Sequence, residues 1–240
     1  MKNSVIINFS PETVEVLNKG NYSLCCFLSS KTDNASIFTP LCWSVIKGFL
    51  QSVLIEWEDN LCAYLSTSDI IENQVIYIPQ AVSAQNQAAS KKAQTGSSYK
   101  IDLNERMLIE NYGKVTIDGN NDLNNVLIQN NSNNPYSTGL CIYNTTDEQY
   151  YGNCVFNTYG GNTIKVSPVN KAFLMFSSKD IENNTVILNA ENSGILVDLT
   201  ASEDNSRTVS YDINNGWSSD KQVWGKQYPA GTDLKALLLT

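Results

Sequence analysis

The chain has 240 residues, 42% of them hydrophobic and 10% aromatic, which is enough apolar material for a full core and excludes wholesale disorder. Its formal net charge is −8, and its 16 Lys and Arg are spread along the chain with Lys91–Lys92 as the densest cluster, so the concentrated basic footprint that a nucleic acid needs is missing. Histidine is absent, which removes Ser-His-Asp and Cys-His nucleophile systems and every His-ligated metal site.

The first nine residues carry one Lys and an apolar stretch broken by Asn8. They lack the run of roughly 7–15 apolar residues of a secretory leader, so synthesis in the cytoplasm without a signal peptide is expected, with release by lysis or a non-classical route. No segment approaches the roughly 20 apolar residues of a membrane-spanning helix.

Short β-branched and aromatic runs then recur about every ten residues, between clusters of Asn, Gly, Ser and Asp. The first strands are expected at 5–9 and 22–28, the latter apolar on both faces and therefore central. Residues 43–57 partly fit a helical period, but Gly48 with Val45, Ile46, Val53 and Ile55 favours two strands, the second at 53–57. A strand at 74–78 follows. Residues 81–98 (AVSAQNQAASKKAQTGSS) break the rhythm: small, polar and Ala-rich, they read as a loop, a short helix or linker, or a membrane-inserting element. Further strands are expected at 126–128, 140–143, 153–156, 171–176, 185–188, 194–199 and 207–213. In the last, Val209, Tyr211 and Ile213 alternate with Thr208, Ser210 and Asp212. Turn signals stand at Asp118-Gly119, Asn134-Pro135, Gly160-Gly161 and Asn215-Gly216. The fold class is all-β, an antiparallel β-sandwich of many short strands, as one domain over 1–240 with a possible break into two packed halves at 81–98.

The six Cys show no C-x-x-C spacing, so buried free thiols are expected, with Cys141 and Cys154 able to face each other across a hairpin. Cofactors are not expected. Asp118, Asn120 and Asp122 supply oxygens at positions 1, 3 and 5 of a calcium loop, but the Gly at position 6 and the acidic residue at position 12 are missing, which leaves a weak metal candidate. Glu56 and Glu58 flank Trp57 on one strand face at about 7 Å, a spacing compatible with an inverting glycosidase or with two solvated side chains.

Tyr136, Tyr150, Tyr151 and Tyr159 lie in or beside turns rich in Asn, Gly and Thr, and Trp217 and Trp224 bracket a second such loop. Aromatic rings beside amides and hydroxyls suit the faces of sugars, and Tyr also partitions into lipid headgroups. The expectation is a non-catalytic, lectin-like or membrane-targeting toxin-like protein that recognises carbohydrate or lipid headgroups through these six aromatics. A self-assembling structural or storage protein, built as a homo-oligomer, is the second reading, since 30 Asn and few charges make a surface cheap to desolvate. A carboxylate-based glycoside hydrolase is the third.

Overall fold

The computed structural model describes residues 2–80 and 96–240 and is built almost wholly from strands. Numbered in chain order, one sheet contains β1 (Lys2–Phe9), β3 (Phe38–Cys42), β5 (Ser52–Ser66), β6 (Gly96–Ile101), β10 (Tyr136–Asn144), β11 (Gln149–Gly152), β12 (Cys154–Thr158), β14 (Thr185–Val186), β16 (Ser206–Asp212) and β17 (Gly216–Ser218). The other contains β2 (Ser23–Thr32), β4 (Ser44–Lys47), β7 (Glu105–Ile109), β8 (Val115–Gly119), β9 (Val126–Asn130), β13 (Thr163–Ser177), β15 (Gly194–Asp198) and β18 (Gly225–Tyr228). Two helices are added, α1 (Pro11–Lys19) and α2 (Leu234–Leu238). Among the described residues no helix is long and apolar enough to cross a membrane, which says nothing about crossing by strands.

The two 15-residue strands β5 and β13 organise the sheets. Along one edge β5 pairs with β1 and then with β6, and along the other with β10. In the same manner β13 pairs with β9 and then β15 on one edge and with β2 on the other. Register shifts between Ile142 and Tyr143, and between Val169 and Ala172, bend the sheets so that they curl around the core. The all-β, sandwich-like expectation holds, but the sheets are mixed and not purely antiparallel. β1 runs parallel to β16, with Ile7 opposite Val209, and β7 runs parallel to β9, with Met107 opposite Ile128. Alternation of apolar residues fixes which face a strand buries and says nothing of the direction of its partner.

Alternation also divides the apolar residues of the first sheet between two cores. Leu61, Ala63, Leu65, Leu140, Ile142, Cys154 and Phe156 face the main core between the sheets. Cys62, Tyr64, Cys141 and Val155 point the other way, into a smaller core completed by Leu41, Ile76 and Val186. The chain from Ser66 to Gln80 supplies Ile76 to this second core, with Ile70 and Ile78 packed beside it. The strand expected at 74–78 is reduced to one antiparallel bridge, Val75 to Thr185 on β14, with Asn73 N donating to Val186 O (2.8 Å), Val186 N to Gln74 O (2.9 Å) and Ile76 N to Asn184 O (3.0 Å). The rest of the segment is irregular chain whose apolar side chains cover the sheet. Both faces of β2 are buried, as expected, and α2 packs against β2 and β3.

Residues 43–57 form two strands, β4 and the start of β5, in agreement with the reading from Gly48 and the β-branched residues. Of the polar stretch 81–98, residues 81–95 lie outside the described residues, while 96–98 open β6. β5 and β6, on either side of that stretch, are neighbours in one sheet, with Leu61 opposite Ile101. All six Cys are free and buried. Cys141 and Cys154 do not face each other, because they point to opposite sides of the first sheet; Cys141 lies opposite Cys62. Burial pushes the Cys62 thiol up to about 12 and Cys154 to about 11. Asn21, Asn73, Asn104, Asn184 and Asn205 all adopt left-handed φ of 51–74°, which ties part of the Asn richness to turns.

Candidate functional site

Pairing register brings four connections to one end of the sheets. Ser66, the last residue of β5, lies opposite Ser137, and Tyr136 lies opposite Thr158 at the end of β12. Thr163 at the start of β13 faces Gln129, and Ile109 at the end of β7 faces Asn130. The segments 67–70, 110–114, 131–135 and 159–162 therefore leave the sheets side by side.

Buried Asn130 fastens this end. Its side-chain amide donates to the carbonyls of Asn134 (2.8 Å) and Thr158 (2.9 Å), and its Oδ1 accepts from Ser132 N (3.0 Å) and Ser132 Oγ (2.7 Å). Its backbone carbonyl accepts from Gly161 N at 2.7 Å. One side chain with every donor and acceptor used thus fixes two loops, and Pro135 restricts the chain entering β10.

Between these loops and the start of the Ser66–Gln80 segment lies a cleft of about 250 Å³, lined by Ser66–Ile70, Pro135–Ser137, Asn157 and Tyr159. Ser137 Oγ donates to the Ser68 carbonyl (2.7 Å), and Ser68 Oγ accepts from Tyr77 N (3.1 Å), which anchors the wall. Tyr136 is half-buried, its ring packed on the main core. Tyr159 is 55% exposed, and its hydroxyl accepts from Asn157 Nδ2 at 3.0 Å. Among the described residues of the lining, Asp69 is the only charged one.

Two of the six expected aromatics, Tyr136 and Tyr159, are thus brought together, and four are placed elsewhere. Tyr150 and Tyr151 are half-buried in β11, where Tyr150 packs on the smaller core and Tyr151 on the main one. Tyr150 meets Tyr143 edge-on at 5.1 Å, and burial pushes its phenol up to about 12. Trp217 is 3% exposed and stacks on Phe176 at 5.4 Å, so the expectation of an exposed ring is corrected: it is a core residue of β17. Trp224 is half-buried beneath the Arg207 guanidinium, 5.1 Å from its ring centre. Residue reasoning missed Asp69, Ser68 and Asn157, which carry no local signal and join the cleft only through strand pairing.

The calcium candidate does not assemble. Asp118 is held by both arms of Arg106 at 2.9 and 2.7 Å, and that guanidinium keeps its carboxyl below the usual range. Asp122 pairs with Lys165 at 2.8 Å and accepts from Asn125, while Asn120 Oδ1 accepts from Asp122 N. The oxygens serve the turn instead of converging. Asp118-Gly119 itself ends β8, and the turn follows it. The larger open depression here, about 870 Å³, is lined by Arg106, Asn120 and Asp122, which serve the turn, together with Asn121, Asn124, Leu123 and Leu127, and it carries no aromatic ring among its described residues.

Glu56 and Glu58 flank buried Trp57. Burial raises the Glu56 carboxyl, but hydrogen bonds from Lys2 (2.6 Å) and Thr145 (2.8 Å) outweigh it and hold it below its usual range, the reverse of what a general acid needs. Glu58 accepts from Asn60 Nδ2 at 2.7 Å.

No protein-family model, no curated protein and no solved structure matches the chain.

Proposed function

We propose that the protein is a non-catalytic carbohydrate-binding protein and that the Tyr136–Tyr159 cleft holds a neutral sugar. One observation carries this reading: an exposed ring, a half-buried ring, an amide, hydroxyls and a carboxylate line one anchored cleft. Aromatic faces stack on the C–H face of a pyranose, while Asp69, Asn157 and Ser68 suit its hydroxyls. An anionic group would meet the Asp69 charge with no Lys or Arg among the described lining residues to answer it, which argues against phosphate and acidic sugars. The missing His and the charged state of Glu56 support a binding role over acid–base chemistry.

The test is retention on an array of neutral and acidic glycans and on phosphatidylcholine vesicles, for the natural chain and for Tyr159→Ala. Neutral glycans should be retained, with affinity lowered about five- to thirtyfold in the variant, which corresponds to about 1–2 kcal/mol. Retention on the vesicles alone would replace the sugar with a choline headgroup, whose cation also suits Tyr rings and a carboxylate. Retention on neither would overturn the reading.

A further inference from the structure

Tyr112 was not among the aromatics singled out from the sequence. It is 101% exposed, so its ring packs on none of the described residues. Its backbone lies in the left-handed region (φ 63°, ψ 19°), where a bulky side chain is strained and Gly or Asn is at ease. The chain uses Asn at five other left-handed positions and Glu148, Asp220 and Lys221 at three more, so Tyr112 is the aromatic residue among them.

The turn that carries it is ordered. Glu110 N donates to Lys114 O at 2.8 Å, Gly113 N donates to Glu110 O at 3.2 Å, and the Lys114 ammonium pairs with Glu110 at 2.9 Å. Asn131 N donates to Ile109 O at 2.8 Å, tying the turn to the loop that leads into Tyr136. The turn also abuts the cleft: a Cβ at Gly113 would lie 3.5 Å from the Tyr136 hydroxyl. An exposed ring is thus held on a closed turn that touches one of the two rings of the cleft. Lys114 lies beside Glu110, so the two charges of the turn offset each other and leave it no net charge.

We infer that the site takes an extended neutral oligosaccharide, with Tyr112 stacking on a sugar unit beyond the one held between Tyr136 and Tyr159. This rests on the carbohydrate reading of the cleft. A single sugar fills the cleft and does not reach Tyr112; a longer chain engages both.

Calorimetric titration with glucose, mannose, galactose and N-acetylglucosamine, each as monosaccharide and as linear tetrasaccharide, tests it on the full chain. The natural protein should bind a tetrasaccharide more tightly than its monosaccharide. Tyr112→Asn, which relieves the left-handed strain and so preserves the fold, should weaken tetrasaccharide binding about five- to thirtyfold and leave the monosaccharide unchanged. Equal affinity for both lengths, or an unaltered tetrasaccharide affinity in Tyr112→Asn, overturns the extended site while leaving the cleft reading intact. Absence of binding to every sugar in the natural chain, with the melting curve normal, overturns both.

Discussion

The end that carries Tyr136 and Tyr159 and the loop that carries Trp217 and Trp224 look alike in the sequence: aromatics among Asn, Gly and Ser beside turn signals. The structure gives them opposite fates. Trp217 lies opposite Tyr211 across the β16–β17 hairpin and is covered by Phe176, with its indole N–H donating to Ser193 O at 3.2 Å. Tyr159 stands just past the end of β12, where no element among the described residues covers it, and shares a cleft with Asp69. What separates the two is what faces each ring across the sheets. An aromatic next to a turn is a binding candidate only when the turn sits at the rim.

The sharpest way to break this comparison is to truncate both kinds of ring. Trp217→Ala removes a buried ring from a cluster with Phe176 and Tyr211. It should cost about 3–5 kcal/mol in chemical denaturation. A loss below about 0.5 kcal/mol, the range of exposed sites, would put Trp217 back on the surface.

The β11 pair should fall between the extremes. Tyr150 and Tyr151 each bury one side of the ring, on different cores. Tyr150→Ala with Tyr151→Ala should destabilise the protein by about 1–3 kcal/mol in sum. An unshifted melting curve would return these residues to the list of binding candidates.

Some of this was legible and some was not. Strand positions were, because alternation and β-branched runs report burial directly: β1, β2, β9, β12, β13 and β16 fall where those runs stand. The Asn215-Gly216 turn was also legible, with Gly216 at φ 78°. A tight hairpin returns the chain to the sheet at once, so Trp217 had to be a strand residue. The helix α1 carried its own signal, with Ser10 as N-cap accepting from Thr13 N and Pro11 in the first turn, yet its short amphipathic face is easily lost among strands. Parallel pairing and the meeting of Asp69 with Tyr136 and Tyr159 were not legible, because each depends on which distant strands become neighbours. Tyr112 was hidden for another reason. Exposure at a left-handed turn leaves no periodic trace.

A finer test concerns Trp224, which sits between the two fates, half-buried under a cation. Replacing Arg207 with Met keeps an apolar stem and removes the charge over the ring. The loss should be about 0.5–1 kcal/mol, the usual worth of such a contact near the surface. A loss as large as that of Trp217→Ala would mean that the guanidinium is structural in a further way.

The smallest effect on stability should come from Tyr159, and its smallness is what matters. The ring is more than half exposed, and its hydroxyl accepts from exposed Asn157. Tyr159→Ala should therefore shift unfolding by less than about 0.5 kcal/mol. Tyr159→Phe separates the ring from its hydroxyl: it keeps the stacking face and loses only the hydrogen bond to Asn157. If the ring face holds the ligand, Phe should keep most of the affinity that Ala loses while both variants melt with the natural protein. If Phe and Ala weaken binding equally, the hydroxyl and not the face makes the contact, and the stacking geometry assigned to the cleft is wrong. If Tyr159→Ala unfolds the protein, the ring belongs with Trp217 and the contrast between the two regions collapses.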